Sequence, residues 1–330
     1  MKLSVNLVTW NGEKYLPALL ESLKNQTFKD FEFIVVDNGS VDKTVEVVKN
    51  FDCRLIENKN NVGFAAGHNQ AYHVGNSEYF LIINQDIYLE TDCLGKLVGF
   101  LDNHPDVGVV GPRVMKWDFE HTPSPSPEGI SGNIDSLGLK VFRNRRVVEI
   151  GEGEEWRAPL FLSTAVFGVS GAIAMFRRSA VDVLDEFLDE SFGSYKEDVD
   201  LAYRLNSVGF PAHIIYDAVA YHDRTGGGTK HKDDLSSAKN KTAQSDRVRY
   251  YSYRNHLITL LKNEYWQNCT LDFIWILWYE LKKFVYFLLF DRRVLKGLGE
   301  IWKMRRIIAQ KRKQIKASRK FSWKEIRGRF

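Results

Sequence analysis

The chain is poor in cysteine. Cys53, Cys93 and Cys269 are three in number and far apart, so a disulfide framework is not expected and a reducing compartment is. An export signal is not expected either. The opening "MKLSVNLVTWNG" has a single Lys and an apolar stretch too short for a signal core, so the Asn-x-Ser/Thr triplets beginning at Asn25, Asn38, Asn240 and Asn268 read as coincidence. The longest apolar run, "FIWILWYELKKFVYFLLF" (273–290), would span about 27 Å as a helix, close to a bilayer core. Glu280, Lys282 and Lys283 fall in its middle, however, which favours lying in a membrane interface over crossing it. Two nucleotide fingerprints are absent as well. No Gly-Lys-Ser/Thr follows the glycines of 226–228, and "GEGEEW" (151–156) ends in Trp156 where a dinucleotide loop needs a glycine. There is no internal repeat.

What is present is size and pattern. The chain has 330 residues, 44% hydrophobic, enough for one large domain with an appendage. The net charge of +4 is uneven: residues 291–330 hold 15 Lys/Arg and 3 Asp/Glu, or +12, leaving 4 − 12 = −8 for residues 1–290. An acidic body therefore carries a basic tail.

Short apolar runs alternate with helical spacing through the first hundred residues. Strands are expected at "LSVNLVT" (3–9), "FEFIVVD" (31–37), "CRLIE" (53–57), "EYFLIIN" (78–84) and "VGVVG" (107–111), with helices between them. Such alternation predicts an α/β fold with a mainly parallel central sheet covered on both faces. Further on, 161–178 reads as one strand returning to the sheet. "HTPSPSPEG" (121–129) reads as a surface loop and 226–246 as a mobile one.

In such sheets ligands bind beyond the carboxyl ends of the strands. Thr9 and Asn11, then Asp37 and Asn38, then Asn84, Gln85 and Asp86 stand at those ends, and Asp37, Asp42 and Asp86 can share one crevice. Asp86 is the natural ligand for a divalent cation; Asp42 has equal claim as the cap of the next helix. A second acidic cluster, Glu197, Asp198 and Asp200, opens a helical pattern. It suits either the helix dipole or a general base for a sugar hydroxyl. His222 ends an apolar run beside a glycine-rich segment, as a structural histidine or a metal ligand. "RVRYYSYRN" (247–255) interleaves cations and aromatics, suited to gripping phosphate or a sugar face, or to an exposed helix entry.

Five ordered stretches resemble the inverting family 2 glycosyltransferases of the GT-A fold, and within them the rhamnosyltransferase-like group of bacterial surface polysaccharide synthesis. They are "VTWN" (8–11), "VVDNGSVD" (35–42), "NVGFAAGHNQA" (61–71), "NQD" (84–86) and "YKEDVDLAYRL" (195–205). The resemblance covers about residues 3–260. It implies that Thr9, Asn11, Asp37 and Asn38 hold the nucleotide and that Gly63, Phe64 and Asn69 border its pocket, with Asn84 and Gln85 beside them. It further implies Asp86 and His222 as ligands of Mg²⁺ or Mn²⁺, and the pair Glu197 and Asp198 at the general base, with Asp198 as the base itself. Arg247 or Arg254 would help to neutralise the departing diphosphate. Asn84 departs from the family, where many members carry a first Asp. The Gln-x-x-Arg-Trp motif of processive synthases is absent, which implies transfer of one sugar per encounter.

The expected organisation is a catalytic domain over 1–262, with its nucleotide-sugar half at about 1–111 and its acceptor half at about 112–262. A helical, amphipathic and basic region follows over 263–330. The expected partners are a nucleotide-diphosphate sugar such as a rhamnose or other hexose donor, a lipid-linked saccharide acceptor, and an anionic membrane surface. The cytoplasmic face of the cell membrane is the expected place. The tail's other reading is a helix packed on the catalytic domain with a solvated basic face. Two other classes compete. A nucleotidyltransferase would need a glycine-rich basic loop that "VTWNGEKY" lacks, and a non-catalytic nucleic-acid binder would explain only the tail.

Overall fold

The computed structural model describes residues 1–120, 130–224 and 245–329. The loop expected over 121–129 lies outside these residues, as does most of the one expected over 226–246.

Strands β1 (Leu3–Thr9), β2 (Phe31–Asp37), β3 (Arg54–Glu57) and β4 (Tyr79–Ile83) form the first half of the sheet. They alternate with helices α1 (Leu16–Lys24), α2 (Thr44–Lys49) and α3 (Phe64–Val74). β4 is followed by β5 (Ile87–Leu89), α4 (Cys93–Asn103) and β6 (Val109–Trp117). The second half adds β7 (Ile130–Ser136), β8 (Leu139–Val141), β9 (Val147–Glu149), β10 (Ser163–Val166) and β11 (Ile173–Arg177). After α5 (Arg178–Val181) and α6 (Glu197–Ser207), β12 (Ala212–His222) closes it.

The ten-stranded sheet runs β10-β12-β6-β11-β4-β1-β2-β3, with β5 on β12 and β7 on β6. β1 pairs in parallel with β2 and β4, β2 with β3, and β6 with β12. Antiparallel β11 sits between β4 and β6, so both of those run the same way as β1. The sheet is thus mainly parallel. The single strand expected over 161–178 is two, β10 at the edge and β11 in the centre, because the chain turns through Phe167–Ala172 between them.

Alternation along β4 shows how the layers form. Leu81 and Ile83 join Leu16, Leu19, Leu23, Leu94 and Leu97 of α1 and α4 on one face. Phe80 and Ile82 meet Ala65, Tyr72, Leu201 and Leu205 of α3 and α6 on the other. Each fully buried side chain stabilises the fold by roughly 1.5–3 kcal/mol. The result is a β4 strand buried on both faces, whose end is held rigid.

The C-terminal helices pack onto this body. They are α7 (Asp246–Asn263), α8 (Trp266–Leu271), α9 (Phe273–Phe290), α10 (Lys296–Ser318) and α11 (Trp323–Arg327). Two buried ion networks cross the expected boundary at 262/263. Lys262 Nζ lies 2.5 Å from Asp189 and 3.1 Å from Asp200, and Lys311 reaches Asp189 at 2.6 Å. Arg145, wholly buried, bonds Glu264 at 2.5 Å and Asp272 at 3.0 Å, and Arg327 bonds Asp272 at 2.8 Å. Among the described residues no helix is long and apolar enough to cross a membrane.

Candidate active site

The ends of β1, β2 and β4 are stitched together by their own polar side chains. Thr9 Oγ1 donates to Gln85 Oε1 at 2.6 Å, and the Trp10 amide donates to the same oxygen at 3.1 Å. Asn11, in the left-handed region at φ 50°, accepts from the Val41 amide at 3.0 Å, while its own amide donates to Ser40 Oγ. Asp37 is 3% exposed and its carboxylate accepts the Gly39 and Ser40 amides at 3.1 and 3.0 Å. Asn38 Nδ2 donates to the Gly63 carbonyl at 3.2 Å, and Asn38 Oδ1 accepts from Asn58. Asp42 accepts the Thr44 amide at 3.0 Å ahead of α2 and the Glu13 amide, beyond β1, at 3.2 Å. Asn84 continues β4 by donating its amide to the Ala172 carbonyl.

Asp86 and His222 come together. β5 pairs with the end of β12, placing His222 opposite Ile87 and its Nε2 3.4 Å from Asp86 Oδ1. The other ring nitrogen, Nδ1, lies 2.9 Å from Asp135 on β7. Burial favours the neutral ring, but Asp135 and Asp86 outweigh it and bring the imidazolium pKa up to about 9. A carboxylate on the far nitrogen is the support that metal-bound histidines have, leaving Nε2 and Asp86 as one nitrogen and one oxygen donor. The donor set fits Mn²⁺ or Mg²⁺ if a diphosphate completes it. No group of three His, Cys, Asp or Glu side chains able to hold a metal occurs among the described residues.

From Asp135 the charges continue toward α6. Arg224 lies 3.2 Å from Asp135 and 3.4 Å from Glu149, and Glu149 accepts from Ser170 Oγ at 3.1 Å. Burial raises the Glu149 pKa, with Asp198 and Asp135 adding to it against Arg224. A cleft of about 910 Å³ opens beside Glu149, lined also by Lys140, Arg146, Glu154, Glu155 and Trp156.

The acids at the start of α6 take three different environments. Asp200 is fully buried against Arg204 at 2.9 Å and Lys262, a structural ion group. Glu197 is 8% exposed and its Oε2 has no hydrogen-bond partner; burial, then Asp198, pushes its pKa up to about 8. Asp198 is half-buried; its Oδ2 accepts the Gly171 amide at 3.2 Å and its Oδ1 the Val199 amide at 2.7 Å.

The loop ahead of α6 is strained and clamped. Gly193, Tyr195 and Lys196 have φ of 69°, 71° and 73°. Such a conformation costs an ordinary side chain about 1–2 kcal/mol. Asn255 of α7 holds it by donating Nδ2 to the carbonyls of Phe192, Ser194 and Tyr195 at 3.0, 3.0 and 2.8 Å. Across from it, the Phe64 amide at the start of α3 donates to the Gly193 carbonyl at 3.0 Å. A Cβ on Gly63 would stand 2.9 Å from that carbonyl oxygen, so glycine is required there. Asn69 is buried and bonds the 188–190 segment through Leu188 and Glu190.

The two candidate arginines part ways. Arg247 is exposed, 5.8 Å above the Tyr251 ring, whereas Arg254 is 5% exposed and committed to the Ser191 carbonyl and Glu300. Asp135, Glu149, Arg224 and Asn255 complete the arrangement, and none stood out in the sequence. Asp135 lies in the polar strand β7 and Glu149 in the three-residue β9, neither with a periodic signal, and only the tertiary fold brings them to His222 and Asp198.

Comparison with known proteins agrees with this architecture. The sequence model described as glycosyl transferase family 2 matches residues 4–184. Staphylococcus aureus poly(ribitol-phosphate) beta-N-acetylglucosaminyltransferase TarS is 34% identical over 37% of this chain and 24% of its own. Mycobacterium tuberculosis N-acetylglucosaminyl-diphospho-decaprenol L-rhamnosyltransferase is 26% identical over 67% of this chain and 76% of its own. The chain spans between 24% and 39% of the length of the first curated relatives it matches. Crystalline TarS 1–349 superposes with a TM-score of 0.52 at 17% identity, over 89% of this chain and 73% of that one. GalNAc-T7 with UDP, GalNAc and Mn²⁺ gives 0.57 at 12% identity, over 78% and 51%. At those identities the likeness shows the fold, which is that of the GT-A transferases.

Proposed function

The chain belongs to glycosyl transferase family 2, and from that premise we propose that it moves one sugar from a nucleotide-diphosphate donor to a saccharide acceptor with inversion. The carrying observation is the continuous line of charged groups from Asp86 and His222, through Asp135, Arg224 and Glu149, to the half-buried Asp198. The stitched ends of β1, β2 and β4, with Thr9, Asn11, Asp37, Asn38, Asn84 and Gln85, receive the nucleotide. Gly63, Phe64 and Asn69 shape the wall between nucleotide and acceptor, and the cleft beside Glu149 receives the acceptor sugar.

Asp198 takes the proton of the acceptor hydroxyl. That oxygen bonds to the anomeric carbon as the carbon's bond to the diphosphate oxygen breaks, so the configuration inverts. Burial favours the neutral form of Glu197 beside Asp198, its pKa pushed up to about 8. Asp86 and His222 would hold a divalent cation, which supplies positive charge to the leaving diphosphate. Asp135 keeps the His222 ring oriented, and exposed Arg247 adds a cation beside Tyr195 of the strained loop ahead of α6, here the acceptor loop.

The finer reading is a hexosyl transfer, rhamnose among the candidates, to a lipid-linked acceptor in cell-surface polysaccharide synthesis. The mycobacterial relative, whose name carries a diphospho-decaprenol acceptor, supports it. The chain would then work on the cytoplasmic face of the membrane, its basic tail against anionic lipid.

A donor panel with Mg²⁺ or Mn²⁺, scored for nucleoside diphosphate release, tests the proposal alongside Asp198→Asn and Asp86→Ala. Wild-type release with both variants depressed is expected. Wild-type turnover by folded Asp198→Asn removes the assigned base. Pyrophosphate release from nucleoside triphosphate and sugar phosphate would make the chain a nucleotidyltransferase instead.

A further inference from the structure

Helix α9 turns its charges toward the protein. Glu280 Oε1 lies 2.7 Å from His256 Nε2 on α7, and Lys283 Nζ sits 3.4 Å from Glu280 and 5.0 Å above the Tyr253 ring. Phe287, 3% exposed, packs between Tyr253 and Val294 on the same side. The charges that argue in the sequence against deep burial of this segment are therefore mostly spent inside, and Lys282 alone of them stays exposed.

The opposite side is apolar and open. Ile274, Leu277, Trp278, Leu281, Val285 and Leu289 are 72, 51, 62, 48, 42 and 65% exposed. At 100° per residue they share one arc, the reverse of a helix that faces water. Together these six leave roughly 600 Å² of largely apolar surface in water. That already equals the largest patch an ordinary monomer shows. The segment that follows supplies the complementary charge for one kind of partner. It holds 15 Lys/Arg against 3 Asp/Glu from 291 to 330, with Arg292, Lys296, Lys303, Arg305 and Arg306 all exposed, and Trp302 67% exposed among them.

We propose that the outward arc of α9 inserts, lying flat, into the headgroup and upper acyl region of an anionic bilayer. The same contact sets the height of the acceptor loop above the lipid. The inference rests on the peripheral membrane placement and names the surface that makes it. Two adjacent residues of α7 carry the coupling: His256 holds α9, and Asn255 clamps the 192–195 loop that leads to Asp198. Docked face and acceptor loop are then parts of one packed unit, so an acceptor tethered in the bilayer meets the site at a fixed depth.

The test is flotation of the full chain with phosphatidylcholine vesicles, with and without phosphatidylglycerol, beside Trp278→Ser/Leu281→Ser and a variant with Arg305 and Arg306 changed to Gln. Wild type is expected to float with the anionic vesicles. It should keep part of that binding in 1 M salt, where screening length falls to about 3 Å. The double Ser variant, altered only at exposed positions, should lose about a hundredfold in partition with its circular dichroism unchanged. Should that variant misfold, brominated lipid provides the readout: it should quench wild-type tryptophan fluorescence, and Trp278→Phe should lessen the quenching. Equal flotation of wild type and the Ser variant, with loss only in the Arg variant, overturns the inserted face and leaves electrostatic placement standing. No flotation of wild type overturns both. A lipid-free dimer that the Ser variant dissolves assigns the face to a second copy and also overturns the inference. Nucleoside diphosphate release, measured without lipid, reports on the transferase reading independently of all three.

Discussion

Replacing Asn255 with Ala removes the clamp on the loop that delivers Asp198. The amide has two hydrogens for three carbonyls at 2.8–3.0 Å, so its donated bonds amount to about two full ones, each worth about 1 kcal/mol net. Its Oδ1 also accepts from Arg254 Nη1 at 3.0 Å, a charge-assisted bond worth about 1.5–3 kcal/mol. Together the loss is about 3–5 kcal/mol. Against it stands the strain the clamp contains: Tyr195 and Lys196 in the left-handed region cost about 2–4 kcal/mol together. The loop can recover much of this by relaxing once released. The net loss of folding stability should therefore be about 1–3 kcal/mol, within the 5–15 kcal/mol typical of a domain, and the variant should remain folded. Turnover should suffer more, about a hundredfold, since a shift of about 1 Å in a catalytic group costs that much. Urea unfolding and nucleoside diphosphate release, measured on the same preparation, check both numbers. A variant with wild-type turnover and stability within about 0.5 kcal/mol would refute the clamp.

Asp135→Asn should raise the Mn²⁺ concentration for half-maximal turnover about 10–100-fold while the protein stays folded, because it removes the carboxylate behind His222; a metal titration decides. Glu197 gives a pH signature. Its folded pKa of about 8 lies above the ordinary glutamate value of 4.5, so between these values the folded state holds a proton that the unfolded state has released, and stability falls as pH rises. Glu197→Gln should accordingly gain on wild type from about pH 4.5 to about pH 8 and no further above it. Urea midpoints at pH 5, 7 and 9 measure this, and a pH-independent difference contradicts it. Lys262→Met should cost about 3 kcal/mol in the same assay, since Asp189 and Asp200 lose their shared buried cation.

Much of the sheet was legible because buried parallel strands are continuously apolar: 3–9, 31–37 and 53–57 form strands within a residue of their expected limits. The strand expected at 107–111 runs on to Trp117, where the polar Arg113 and Lys116 conceal it. The run 161–178 hid a break because its small residues suit strand and turn alike. Hairpin β8 and β9 went unread, since three-residue strands carry no period.

Local pattern determined the strands, their polar ends and the family, because period and end chemistry are written in neighbouring residues. The meeting of Asp86 with His222, 136 residues apart by 222 − 86, depends on β5 pairing with β12. The fates of Glu197, Asp198 and Asp200 likewise differ only through what meets each carboxylate: burial with an unpartnered oxygen, the Gly171 and Val199 amides, a buried lysine. Tertiary structure also decided which way α9 faces. A helix's sequence sets the angular separation of its side chains, but only the partner on α7, His256 with Tyr253, determines which arc is covered and which meets solvent.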